Sequence, residues 1–207
     1  MALYLGHKWD SIEKMMMDGI YKALQSICIL IIVGILIGVW INAGVVPTMI
    51  YYGLKIMHPA IFFIAAVLIC SITSLATGTS WGTMGTMGVA LMGIGFGLDM
   101  NPAMTAGAIL SGAYFGDKMS PLSDTTNLAP AMAGTDVIAH VKAMMIPTVV
   151  TYAITLVVFG VFGAMQYHGG EADMSRVTEF AAALNAAEGG VFNINPILLL
   201  PPVIVIV

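Results

Sequence analysis

Residues 116–130 read GDKMSPLSDTTNLAP. They gather two carboxylates (Asp117 and Asp124), one ammonium (Lys118), and a run of small oxygen donors in Ser123, Thr125, Thr126 and Asn127. Two prolines, Pro121 and Pro130, interrupt the backbone among them. Lys118 can neutralise either Asp117 or Asp124, which leaves one carboxylate over. A carboxylate beside hydroxyl and carbonyl oxygens suits a hard cation such as Na+, because hard ions take oxygen ligands. It equally suits a proton, since desolvation favours the neutral acid and a bound cation favours the anion. A group that holds H+ or Na+, but not both, is the minimal chemistry of an exchanger. The plain alternative is a solvated loop between two helices. Small hydroxyls, in place of a Lys/Glu-rich mixture, count against it.

A second polar stretch precedes it. Residues 75–88, LATGTSWGTMGTMG, hold four glycines and five hydroxyl residues between apolar runs. Thr77, Thr79, Ser80 and Thr83 form its tip. Glycines and threonines of this kind either pack helices tightly, with Thr83 and Thr86 bonded back to their own helix, or mark a break that lines a site.

The surroundings decide how much these residues matter. Of 207 residues, 59% are hydrophobic and only 9% are charged, with a mean hydropathy of +0.95. Soluble domains carry about a quarter charged residues, so the chain reads as an integral membrane protein. The net charge of −4 comes with no basic patch, and nucleic acid is not an expected partner. An ionised side chain at the bilayer centre costs about 2.5–3.5 kcal/mol, so Asp117, Lys118 and Asp124 together would cost on the order of 8–10 kcal/mol if exposed to lipid. At membrane depth they must pair or bind something.

Stepping along the chain, residues 1–22 form an amphipathic lead-in and 23–44 a spanning helix, in which Gly34 and Gly38 allow close helix approach. Three lysines before this helix, against Lys55 after it, favour a cytoplasmic N-terminal side. Residues 45–58 suit an interfacial connector. Residues 59–98 are two apolar halves meeting at the polar tip 75–88, as a hairpin or a broken span. Residues 101–134 form a discontinuous helix broken at 116–124. Residues 137–163 span again, 164–194 are a polar loop containing His168, and 195–207 begin a further helix too short for the roughly 20 residues a span needs. The expectation is an all-α polytopic transmembrane protein, read here as one portion of a longer transporter. Irregular backbone at membrane depth survives only in protein or against a cavity. Paired interrupted segments point to a transport site, where helix N-termini favour anions and freed carbonyls favour cations.

The remaining polar residues promise less. His58, Asp99, Asp136, His140 and Lys142 read as helix-end or interface residues, and Cys28 and Cys70 as small core residues without metal or redox spacing. No zinc-type His pair and no Ser–His or Ser–Lys spacing suggests an enzyme. A membrane scaffold is the remaining non-transport class.

The fifteen-residue motif, the preceding SGAYF, the earlier ATGTSWGTMG and VPTMIYYGLK after a spanning helix resemble the NhaC-type Na+/H+ antiporters of the ion transporter superfamily. The resemblance runs in order over residues 8–207. It implies a secondary antiporter in the bacterial cytoplasmic (inner) membrane, a homodimer, built from two inverted repeats that each hold a hairpin and a broken helix. This chain resembles the first repeat with its scaffold helices; the second repeat's half of the site would lie outside it. No cofactor is implied beyond Na+ as the coupling ion. The substrates implied are Na+ and H+, with a small carboxylate (malate or lactate) or an amino acid as the alternative. Matching positions make Asp117, Ser123, Asp124, Thr125, Thr126 and Asn127 the core of the site, with the tip Thr77, Thr79, Ser80 and Thr83 beside it. Asp124 is taken as the exchanging carboxylate, with Thr125 and Asn127 as its companion Na+ ligands and Asp117 with Lys118 as a supporting pair.

Overall fold

A computed structural model describes residue 4, residue 6, residues 8–166 and residues 174–206. Among the described residues the fold is helical, with one isolated bridge between Asn185 and Phe192. Helix α1 runs unbroken from Trp9 to Asn42, so the polar lead-in and the apolar span are one helix. At 1.5 Å per residue it is about 51 Å long, enough to cross the bilayer and project beyond it. It ends where Gly44 adopts a left-handed conformation (φ 83°). From there α2 (Val45–Ile56) leaves at 70° to the last turns of α1. Among the described residues nothing lies within 4 Å of a Cβ at Gly34 or Gly38.

Among the described residues two helices by themselves are long and apolar enough to cross a membrane, Pro59–Thr77 and Val137–Gln166, and the bent α1/α2 pair makes up to three. The first contains α3 (Phe62–Thr77), whose start is set by Pro59 and by the His58 Nδ1 that accepts from the Ala60 amide at 3.3 Å. After Gly78 the chain re-forms as α4 (Ser80–Thr83), passes through a π turn at Met84–Gly88, and continues as α5 (Val89–Gly97). Asn101 caps α6 (Pro102–Met119) by accepting from the amides of Ala103 and Met104, with Pro102 at the first helical position where its missing N–H costs nothing. Helix α7 (Asp124–Ala133) follows a four-residue break, and α8 (Val137–Gln166) begins where Asp136 Oδ2 accepts from the amides of Ile138 and Ala139. Helices α9 (Met174–Leu184) and α10 (Leu200–Ile206) complete the chain. His168 lies outside the described residues.

The core sits where α3 meets α6. Phe62, Phe63, Val67 and Cys70 face Ala108, Ile109 and Ala113, all buried. Small residues on α6 let the two backbones nearly touch. A Cβ at Gly112 would fall 2.9 Å from Cys70 Cβ, and one at Gly116 would fall 2.5 Å from the Ser71 carbonyl oxygen. Without a hydrophobic driving force between helices in lipid, such close approach is what holds them. Two hydroxyls rivet the seam: Ser74 Oγ donates to the Ala113 carbonyl at 2.6 Å, and Ser120 Oγ to the Leu75 carbonyl at 2.9 Å. Cys70 is buried as expected, but Cys28 is exposed on α1, because that helix has few neighbours along its middle. Most of α8 is exposed too, with Ile146, Ile154 and Val157 facing outward.

Candidate functional site

The glycine seam fixes the register of α6, and that register turns Asp117 toward the break after α3. The Asp117 side chain is 5% exposed. Three hydroxyls donate to its carboxylate: Ser123 to Oδ1 at 2.8 Å, Thr125 to Oδ2 at 3.2 Å, and Ser80 to Oδ2 at 3.3 Å. Ser80 opens α4 and Ser123 caps α7, so both interrupted elements reach the same carboxylate. Hydrogen bonds to a charged group contribute about 1.5–3 kcal/mol each, whereas burying an ion costs several kcal/mol. A cage of hydroxyls is thus the least that keeps an anion here. Hydroxyls also present lone pairs, so the same oxygens can donate to a carboxylate or turn to coordinate a cation beside it.

The break itself is closed by its own side chains. Thr126 Oγ1 donates to the carbonyls of Asp117 (3.0 Å) and Lys118 (3.3 Å) in the last turn of α6, where the Asp117 carbonyl also accepts from the Ser120 amide at 3.3 Å. Asn127 Nδ2 donates to the carbonyls of Pro121 and Ser123, both at 2.7 Å. Ser120 Oγ accepts from the Leu122 amide at 3.2 Å. The two breaks press together. Gly78 adopts φ 69°, and a Cβ there would come within 2.8 Å of the Leu122 carbonyl carbon. Only glycine meets both conditions.

The sequence-derived residues therefore separate into groups. Ser80, Ser123 and Thr125 join Asp117 directly. Thr126 and Asn127 hold the backbone of the break, and the bonds of Asn127 do not reach Asp117. Thr77 Oγ1 donates to the Thr73 carbonyl, and Thr83 Oγ1 to the Thr79 carbonyl, both at 2.9 Å. Thr79 caps α4 by accepting from the Gly82 amide, and Thr86 bonds back to Gly82. The back-bonding alternative thus describes Thr83 and Thr86, and Ser80 alone of the tip reaches across. Asp124 begins α7, but its side chain lies outside the described residues. The expected Asp117–Lys118 pair is not formed: the partners of Asp117 are hydroxyls, and Lys118 is exposed on another face of α6. Among the described residues no group of three His, Cys, Asp or Glu side chains could hold a metal ion. Sequence reasoning missed Ser74, Gly112 and Gly116. Their signal was the small-residue spacing of α6 against serines of α3.

Comparisons with known proteins agree over nearly the whole chain. Residues 1–205 match the Na+/H+ antiporter family. The malate-2H(+)/Na(+)-lactate antiporter of Bacillus subtilis (strain 168) is 47% identical over 207 residues, covering 100% of this chain and 43% of that protein. The Na(+)/H(+) antiporter NhaC of Alkalihalophilus pseudofirmus is 42% identical over 204 residues, 99% of this chain and 43% of the relative. The arginine/ornithine antiporter ArcD of Halobacterium salinarum is 39% identical over 199 residues, 96% and 40% respectively. The chain thus spans about two fifths of the length of these relatives. No solved structure matches it.

Proposed function

Because the chain belongs to the Na+/H+ antiporter family, we propose that it forms an ion-binding part of a secondary antiporter that exchanges Na+ for H+ across the bacterial cytoplasmic membrane. It is read as a transporter and not an enzyme, with Na+ as cargo and no cofactor. The observation that supports this reading most is the buried Asp117 carboxylate, met by hydroxyls from both interrupted helices and, among the described residues, by no cationic side chain.

Asp117 is assigned the exchanging role, in place of the support role that sequence alone suggested for it. With a proton on Asp117 the carboxyl is neutral and the hydroxyls of Ser80, Ser123 and Thr125 bond among themselves and to it. When Na+ enters, the carboxylate supplies the compensating charge and the hydroxyls rotate their lone pairs toward the ion. Proton and Na+ exclude each other because both need the same negative charge. Asp124, one residue after the cap of α7, is a second carboxylate in the sequence of the break.

In proteoliposomes, added Na+ should collapse an imposed pH gradient, and Asp117→Asn should abolish this while Asp124→Asn weakens it. Full exchange in the Asp117→Asn protein would overturn the assignment. A second reading, exchange of an organic acid or amino acid, is favoured by the names of two relatives, the malate/lactate and arginine/ornithine antiporters. Acceleration of Na+ flux by malate, lactate or arginine would select it.

A further inference from the structure

We infer that Tyr152, on α8, is a positioning residue for the Asp117 carboxylate. Its ring, anchored by its hydroxyl, sets the angle at which α6 presents that carboxylate to the hydroxyls of the two breaks. The inference rests on Asp117 as the ion-exchanging group and brings α8 into the site.

Tyr152 makes two contacts at once. Its ring stacks on Phe115 of α6, with centroids 3.8 Å and planes 17° apart. Its hydroxyl lies 2.7 Å from Ser71 Oγ on α3. Ser71 gives its single hydrogen to the Val67 carbonyl, also at 2.7 Å, so Tyr152 is the donor. Ser71 is also the residue whose carbonyl oxygen a Cβ at Gly116 would meet at 2.5 Å. Tyr152, Ser71, Gly116 and Phe115 thus close a ring of contacts across three helices, and Asp117 is the next residue along α6.

The seam explains why α6 needs such a brace. Gly112 and Gly116 let α6 approach α3, but they carry no side chain to resist a turn of α6 about its own axis. The Ser74 and Ser120 bonds hold α6 from the α3 side. On its far side α6 faces a groove of about 530 Å³ toward α8, lined among others by Ser111 and Thr148, and the Phe115–Tyr152 pair bridges that space. Phe115 stands about 200° around the helix from Asp117, so a ring held in place opposes rotation of the carboxylate. Side chains reach about 5–6 Å from a helix axis, so a turn of about 10° moves Asp117 by about 1 Å. A shift of that size away from the breaks takes the Thr125 and Ser80 bonds, at 3.2 and 3.3 Å, out of hydrogen-bond range.

The test is Na+-driven exchange in proteoliposomes over a range of Na+ concentrations. Tyr152→Leu should raise the half-saturating Na+ about tenfold, the worth of one hydrogen bond to a charged group. Phe115→Leu should do the same, and the double variant should lose no more than either alone, because the two residues act as one unit. Tyr152→Phe keeps the stacked ring and should restore most of the affinity. Phe159→Leu is the control. Phe159 packs on Phe63 and beside Gly107, so its loss should lower thermal stability without moving the half-saturating concentration. A second readout needs no transport: Asp117→Cys should react with a small maleimide several-fold faster when combined with Tyr152→Leu than with Phe159→Leu. Full exchange by Asp117→Asn would fell the ion reading, and the labelling rates would still decide the positioning role. The inference is overturned if Tyr152→Leu changes neither half-saturation nor labelling beyond Phe159→Leu, or if Tyr152→Phe is as impaired as Tyr152→Leu.

Discussion

Asp117 and Lys118 are neighbours in sequence but face different directions. Consecutive residues on a helix are about 100° apart, so one turns into the seam with α3 and the other toward α8. Charge balance alone suggests that they pair, and helix phase forbids it. The same reasoning ranks the hydroxyls. Ser123 makes the shortest bond to Asp117 and also receives the Thr126 amide at 3.4 Å. Ser123→Ala should weaken Na+ binding by about 1–3 kcal/mol. Thr77→Val should leave it nearly unchanged, since Thr77 serves only the Thr73 carbonyl. Binding of radiolabelled Na+ to the two variants checks the contrast, and equal losses would refute it. The charged motif made this neighbourhood legible in sequence. Which carboxylate the hydroxyls meet was not legible, because Ser80 arrives from 37 residues away and no local pattern reports that distance.

At the scale of elements, the close contact of α3 and α6 carries the site. Gly116→Ala would drive a methyl against the Ser71 carbonyl oxygen and the Leu75 amide nitrogen, both backbone atoms that cannot swing aside. It should destabilise the protein by about 1–3 kcal/mol and displace Asp117. Gly38→Ala, with open space around it, should be neutral or stabilising by about 0.5–1 kcal/mol through its helical preference. Thermal unfolding in detergent, read together with exchange activity, distinguishes the two. The interrupted helices were legible because glycine, proline and charge are out of place in hydrocarbon. The continuity of α1 was not, since its polar first half and apolar second half differ in composition while sharing one unbroken helix.

For the whole molecule, the unequal surroundings of the two cysteines give a simple check. Cys28 is exposed on α1 and Cys70 is fully buried under α6. A small membrane-permeant maleimide should therefore modify Cys28 in the folded protein and reach Cys70 only after denaturation, with mass spectrometry locating the adduct. Prompt modification of Cys70 would contradict the α3–α6 core. The outward apolar surface of α8 was readable from hydropathy, but its polar groove against α6 was not, because Ser111 and Thr148 come from separate helices.

The wedge of Gly78 against Leu122 has a mechanical meaning. With no room for even a methyl group between them, the end of α3 and the break before α7 cannot slide past each other. If the protein transports as proposed, its stroke would move the two as one solid piece, with the bending elsewhere. Gly134, left-handed at the end of α7 with open space around it, and Gly44, left-handed at the elbow between α1 and α2, are the joints available. A cross-link between cysteines at Leu75 and Leu122 should accordingly leave exchange running, and arrest by that link would show that the piece is not solid.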